Sequence, residues 1–351
     1  MEEGMFPEDY MTRNSTEYFL YDDPRNTDSL LTQWNKMYRK AHGYVSGVIC
    51  IFGLFSNIVN TIVLTRKHVI TPVNCILTAI AVVDGLKMSD NLIFAVYFYM
   101  SKELKWESNH SFAWIYYLLI HINFSIVCHT MAMLFTVYLA AYRYMFVCKN
   151  ETGSRKYGVR QTTIAIVIIG TSTILLCSPY FFLYQVEKVS NMSDSSQAYW
   201  YSYSDFALAH SVYVVILFWS YSVMKVVPCI ILMFLITRIV MAIHHSNETL
   251  KRLQKSSRLP NRSGIRQRNQ TSYMLVIVVL IFVITEMPNG ILIFISSFSE
   301  HFFVEVYSNL GDALDILALL NSSVNFILYC LMNQQFRETL RRLIKFNFVG
   351  N

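Results

Sequence analysis

Charge is what this sequence has least of. Asp, Glu, Lys and Arg make up 15% of its 351 residues, where a soluble domain carries nearer about a quarter. A chain that poor in charge is ill equipped to face water on all sides, which argues for one that meets lipid. Motifs that carry reaction chemistry are missing too. There is no HExxH, no Cys/His cluster at metal-ligand spacing, no nucleophile motif and no phosphate loop. No enzyme, no metal and no other cofactor is therefore expected. The seven cysteines, from Cys50 to Cys330, fall within apolar segments or near their inner ends. They read as small buried hydrophobes rather than a secreted disulfide framework. No cleavable signal peptide is evident in the first forty, mostly polar residues, so the first apolar segment is expected to act as an uncleaved insertion signal.

What is present is apolar length. The chain is 54% hydrophobic, and seven stretches are long enough to cross a bilayer, roughly 43–65, 72–99, 112–142, 162–184, 209–241, 272–298 and 307–331. Each supplies the ~20 residues that ~30 Å of hydrocarbon requires. Runs of this length are helices rather than barrel strands. The expected fold is an all-α bundle of seven transmembrane helices spanning 41–332, after an extracellular extension over 1–40. In 333–351, Phe336, Leu340 and Leu343 recur at helical spacing among Arg337, Arg341, Arg342 and Lys345, as in a short amphipathic helix on the inner leaflet. No cysteine follows Cys330 to carry a palmitoyl anchor.

The net charge of +6 is unevenly distributed. With the N-terminus outside, the inner connections collect Arg66, Lys67, Lys149, Arg155, Lys156, Arg160 and a run from Lys251 to Arg268, against Glu151, Glu248 and Glu338. That asymmetry follows the positive-inside rule and makes a nucleic-acid partner unexpected. Asn14, Asn109 and Asn191 head glycosylation triplets on the expected outer side. The outer segment from Gln185 to Asp205, ending in AYWYSYSD, reads either as a cover over a pocket or as part of the interfacial aromatic belt. The segment from about Ile243 to Gln270 is expected to be the longest inner loop, broken at Pro260 and Gly264.

A polar group in hydrocarbon costs free energy unless it is paired, wetted or turned inward. The embedded polar residues therefore point to the bundle interior. They include Asn57 and Asn60, then Asp84, Lys87 and Asp90, then His121, Asn123 and His129 ahead of Tyr142-Arg143-Tyr144. Lys225 precedes Pro228, Glu286 precedes Pro288, and Asp312, Asp315, Asn321 and Asn325 occupy the last apolar stretch. Such groups can simply bind helices together, or form a wet core that rearranges during switching. Buried acids also suit ion translocation, but the polar pattern shows no internal duplication of the kind repeat-built transporters have. The last stretch, VYSNLGDALDILALLNSSVNFILYCL, offers no lysine for retinal.

Order and placement of these residues resemble the rhodopsin-like (class A) G-protein-coupled receptors across all seven segments. Asn57, Asp84 in AIAVVD, Arg143 in AAYRYMFV, Pro228, Pro288 and Tyr329 in NFILY match that family's inner-core and proline positions. Departures are Tyr142 where an acid normally stands, Glu286 in place of a tryptophan, Phe326 in place of a proline, and Leu118 in place of an outer cysteine. ITEMPNGIL, HTMAM from His129, KVVPC from Lys225 and DILALLNSSVNFILYCLM resemble more narrowly the myosuppressin and FMRFamide-like peptide receptors of insects and nematodes.

The resemblance implies a plasma-membrane receptor for a peptide ending in amidated Arg-Phe, coupled to an inhibitory (Gi/o) heterotrimeric G protein. Amidated neuropeptide, G protein, arrestin and the lipid bilayer are the expected partners. A guanidinium without a C-terminal carboxylate calls for a carboxylate in a partly apolar cleft. Glu286, Asp90 and Asp315 are the candidates in that order, with His129, His121 and Lys225 beside them. For Glu286 the alternative is an internal pair with Lys225 or a hydrogen bond to His129. Lys87 is expected to pair with Asp84 or Asp90. Asn57, Asp84, Arg143, Tyr144, Phe282, Pro288, Asn325 and Tyr329 form the expected activation switch, with the helix bending at Pro288. A chemosensory or other small-molecule receptor is the main rival, followed by a receptor that binds without signalling and by a transporter or channel.

Overall fold

The structure is a computed structural model describing residues 30–101, 110–148, 158–189, 198–255, 262–332 and 334–349, and seven long helices and a shorter eighth make up most of these described residues. The helices are α1 Leu30–Leu64, α2 Pro72–Ala95, α3 Phe112–Cys148, α4 Val159–Cys177, α5 Ser211–Lys255, α6 Arg262–Ser296, α7 Ser308–Met332 and α8 Gln334–Val349. By length and composition, six segments among the described residues can cross a membrane: Leu30–Leu64, Phe112–Phe146, Val159–Phe182, Val212–His245, Val276–Ser296 and Glu305–Leu331. α2, with 24 residues, is also long enough, but Asp84, Lys87 and Asp90 dilute its apolar run. Large apolar side chains such as Val48, Leu175 and Ile284 point outward, as lipid-facing positions do and as a water-facing surface rarely does in this number. Asn14, Asn109 and Asn191 lie outside the described residues, as do Lys149, Arg155, Lys156, Arg258 and Pro260.

Local chemistry sets several boundaries. Thr71 caps α2 by accepting a hydrogen bond from the Asn74 amide at 3.2 Å, and Pro72 takes the first helical position, where no amide donor is needed. Arg337 donates to the Leu331 and Cys330 carbonyls at 2.8 and 3.3 Å, satisfying the end of α7. α8 turns Phe336 into the bundle, against Phe326 and Tyr329, so it closes this end of the core as well as offering an amphipathic face.

Two expected boundaries move. α1 begins at Leu30, inside the segment read as an extension, because Trp34, Tyr38 and His42 stack at four-residue spacing and Asn35 donates to Asn309 of α7 at 3.1 Å. Most of the expected inner loop from Ile243 to Gln270 is helix, since α5 continues to Lys255 and α6 starts at Arg262, with Gly264 inside it. Polarity marks where lipid ends, but helical hydrogen bonds continue into water.

At the opposite end from α8, β1 Tyr184–Val189 and β2 Ala198–Tyr203 form an antiparallel hairpin, pairing Tyr184 with Tyr203 and Glu187 with Trp200. Alternation turns Trp200 and Ser202 inward. Trp200 joins Phe98, Ile115 and Leu118 in one apolar cluster, while the Tyr199 amide donates to the His110 carbonyl at 3.1 Å. Leu118 therefore fastens the hairpin to α3 by packing. Cys50, Cys75, Cys128, Cys177, Cys229 and Cys330 are free thiols.

Close helix approach rests on two glycines. A Cβ on Gly43 of α1 would stand 2.4 Å from the Tyr99 Cβ in the π-helical turn that ends α2, and one on Gly290 of α6 would stand 2.9 Å from Val226 of α5. Gly43→Leu should cost roughly 1–3 kcal/mol by overpacking, whereas Gly311→Ala, with no atom within 4 Å, should be neutral or stabilising by up to about 1 kcal/mol. Thermal midpoints of the detergent-solubilised protein compare the two, and an undiminished midpoint for Gly43→Leu would disprove the close approach. Dithiothreitol should leave the wild-type midpoint unchanged; a fall of several degrees would reveal a stabilising disulfide.

Candidate functional site

Glu286 is fully covered in the middle of α6, facing α3 and α5. Its Oε2 accepts from His129 Nε2 of α3 at 2.7 Å and from Lys225 Nζ of α5 at 3.1 Å. The internal pair and the internal hydrogen bond, alternatives from sequence, are both present. Lys87 of α2 reaches the other face of the same imidazole, its Nζ 3.5 Å from His129 Nδ1. An ammonium only donates, so Nδ1 accepts and the ring proton sits on Nε2, aimed at the carboxylate. Lys87 thus turns to α3 and comes within ion-pair distance of neither Asp84 nor Asp90 among the described residues. Helix geometry explains the difference: side chains three apart share a face, but α3 offers a buried acceptor straight across. Lys225 also lies 5.1 Å from the centre of the Tyr221 ring, a cation–π contact that shields its charge.

This chain links four helices through buried ionic groups. Its remaining open valence is Glu286 Oε1, which is buried and has no hydrogen-bond partner among the described residues. Gly290, one turn further along α6, lets α5 lie close enough for Lys225 to arrive, and Ser222 donates to the Gly290 carbonyl at 3.0 Å. Pro288 stands between Glu286 and Gly290, within a continuous α6.

Toward α8, Asn325 of α7 donates to Asp84 Oδ2 at 3.4 Å, and Asn57 of α1 donates to the Ser322 carbonyl at 3.1 Å. Phe282 is buried below Glu286 in the same apolar core as Tyr142 and Tyr329, while Arg143 and Tyr144 are half-buried at its edge. Toward the hairpin, Asp90 accepts from His121 Nδ1 at 2.6 Å and from the Tyr117 hydroxyl at 3.1 Å. His121 stacks on Phe94 with ring centres 4.1 Å apart.

Asp315 lies nearer the hairpin end with His42 Nε2 at 3.9 Å; neighbouring Asp312 accepts from the Tyr99 hydroxyl at 2.8 Å and faces Arg39 at 3.7 Å. Sequence reading passed over Arg39, His42, Tyr99 and Tyr117. The signal available for the first two was the i, i+4 aromatic spacing that carries α1 back to Leu30. No His/Cys/Asp/Glu group among the described residues is arranged to hold a metal ion.

A family model described as serpentine type 7TM GPCR chemoreceptor Srw matches residues 44–347. The chain is 29% identical over 367 residues to the G-protein coupled receptor dmsr-1 of Caenorhabditis elegans, covering 93% of this chain and 71% of that one. To the sex peptide receptor of Drosophila melanogaster it is 24% identical over 347 residues, with 91% and 77% covered. To the thyrotropin-releasing hormone receptor of Homo sapiens it is 28% identical over 324 residues, with 84% and 76% covered.

Breaking one partner of a buried ion pair costs about 3–5 kcal/mol because the other charge is stranded. Lys225→Met and Glu286→Met should each lower the thermal midpoint strongly, and the double variant should lose less than their sum by about 0.5–3 kcal/mol. Additive losses would mean the two residues do not act on each other.

Proposed function

The chain belongs to the Srw family of serpentine seven-transmembrane G-protein-coupled receptors, and from that premise we propose that it is a receptor for an amidated neuropeptide of the FMRFamide or myosuppressin type. Membership makes it a rhodopsin-like, multi-pass membrane receptor and a signalling protein rather than an enzyme. In the proposal α2 is the seventh crossing, its charges tolerated because they face the interior. The hairpin end then faces outward and α8 lies at the inner leaflet, as the basic inner connections require. Relatives named as a sex peptide receptor and a thyrotropin-releasing hormone receptor support a peptide-hormone type of ligand.

The observation that carries the reading is the open oxygen of Glu286. With Oε2 filled by two donors, Oε1 is an acceptor for one more, and the C-terminal amide of such a peptide supplies an N–H where a free carboxylate would be repelled. Reaching it requires the helix ends under the hairpin to part, so occupancy and rearrangement are coupled. His129 and Lys225 move with Glu286, and Asp90 with His121 lines the way in. The peptide guanidinium pairs with a carboxylate nearer the hairpin, Asp90 or Asp315.

The ligand acts by its differential affinity for two packings of α5, α6 and α7. Pro288 leaves the preceding turn of α6 without one backbone hydrogen bond and makes it the hinge. Phe282 carries the shift to Arg143, Tyr144 and Tyr329, while the Asn57, Asp84 and Asn325 positions re-pair. The inner face then opens to an inhibitory heterotrimeric G protein, with arrestin as a second inner partner. The family's description as chemoreceptors favours a second reading, a small chemosensory ligand in the same interior. G-protein activation by a library of amidated peptides, set against small molecules, separates the two.

Glu286→Gln should weaken peptide activation well beyond any loss of surface expression, since it removes the charge that holds Lys225 and His129 in place. A dose–response curve identical to wild type, at matched expression, would sink this account.

A further inference from the structure

The Glu286 chain has a second end that the switch leaves unused. Lys87 is 3% exposed, and its ammonium makes one hydrogen bond among the described residues, to His129 Nδ1 at 3.5 Å. An ammonium carries three N–H donors, so a buried charge rests here on a single long contact to a neutral acceptor. Asp84, one turn earlier on α2, is within electrostatic reach, but its carboxylate is already met by Asn325 at 3.4 Å. The Cys50 and Cys128 thiols also feel the charge, and sulfur is a weak acceptor. Burying an ammonium in such company is costly, and an oxygen acceptor beside it would offset part of that cost.

At the other end of the same ring, Glu286 is 0% exposed and its Oε1 has no donor among the described residues. His129 therefore stands between a donor with hydrogens to spare and an acceptor with an oxygen to spare. The imidazole itself shows what fits between them. It accepts at Nδ1 and donates at Nε2, with one ring carbon separating the two nitrogens. A primary carboxamide carries the same pattern, a C=O that accepts and an N–H that donates, across one carbon. Other chain termini match it less well. A carboxylate accepts at both ends and faces Glu286 with no proton between them, an ester only accepts, and an ammonium only donates and meets Lys87 with like charge.

We propose that Lys87 determines specificity for the ligand terminus: a carboxamide lies beside the His129 ring, its C=O accepting from Lys87 Nζ and its N–H donating to Glu286 Oε1. The inference rests on the peptide reading for the source of the amide. Helices α2 and α6 then read the two ends of one group, and the site selects by the order of donor and acceptor rather than by charge. The ligand adds a second bridge parallel to the imidazole, between the same two ions.

Three probes that differ only at the terminus test this on the full chain in lipid nanodiscs, with the thermal midpoint as readout. They are N-acetyl-Arg-Phe amide, N-acetyl-Arg-Phe methyl ester, and N-acetyl-Arg phenethylamide, which lacks the terminal group. On the wild type the amide should bind tightest, the ester next and the phenethylamide weakest. Lys87→Met should weaken the amide and the ester by about tenfold or more and leave the phenethylamide unchanged, so that the ester falls level with it. Lys87→Gln, which keeps a neutral N–H donor, should restore part of the ester's advantage. Stabilisation by no probe, or equal binding of ester and phenethylamide by the wild type, would overturn the proposal. A Lys87→Met variant that weakens all three alike, or none of them, would do the same. Failure of the peptide-receptor reading looks different: amidated peptides then evoke no G-protein activation, whatever the order in which the three probes bind.

Discussion

A single carboxylate oxygen, shared between an imidazole N–H and a lysine ammonium in a region closed to water, is the constraint on which the bundle interior depends. Glu286 Oε2 draws α3 and α5 onto α6 at once. Lys87 extends the same chain to α2 through the far nitrogen of His129. Burying these charges is costly, and only close mutual geometry offsets the cost. The consequence is an interior with few tolerable arrangements: either the donors meet the oxygen, or the helices must move until other groups do. An interior of that kind suits a two-state protein better than a continuously deformable one.

The two ends of the molecule are fixed by different forces. At the α8 end an apolar core runs from α1 to α7 and is closed by Phe336. Hydrogen bonds from Asn57 and Asn325 stitch α1, α2 and α7 just above it. At the hairpin end, aromatic packing around Trp200 and Leu118 takes the place of a covalent tie. Packing of that kind can be parted and remade at modest cost, while the core at the far end cannot be opened without exposing many apolar groups. In the proposed mechanism, a ligand entering beneath the hairpin works against the softer end and is felt at the stiffer one through the buried chain between them.

Pro288 and Gly290 show how closely spacing and function are tied. The proline weakens one turn of α6, and two residues later the absent side chain lets α5 approach. Between them they allow Lys225 to reach a carboxylate on a helix that can still bend. The family model over residues 44–347 places the family, while 29% identity to dmsr-1 is too little to transfer a ligand.

How much of this was legible beforehand differs from residue to residue. The long apolar runs gave the helices, because hydrocarbon demands unbroken length and leaves the backbone no other partner. Embedded Glu286, His129 and Lys225 stood out for the same reason: lipid makes every polar residue conspicuous. Their mutual contacts were posed only as alternatives, since which face of each helix turns to which neighbour depends on rotation and crossing that no local pattern encodes.

Lys87 went to α3 rather than to the acids on its own helix, a choice made by distance across the bundle. Arg39 and His42 were overlooked because polarity conceals a helix that continues past the bilayer. Sequence by itself determined which segments must be buried in lipid and which side chains could not face it. Only tertiary structure decided who pairs with whom, because an ion pair is settled by ångström-scale distances between segments far apart in the chain.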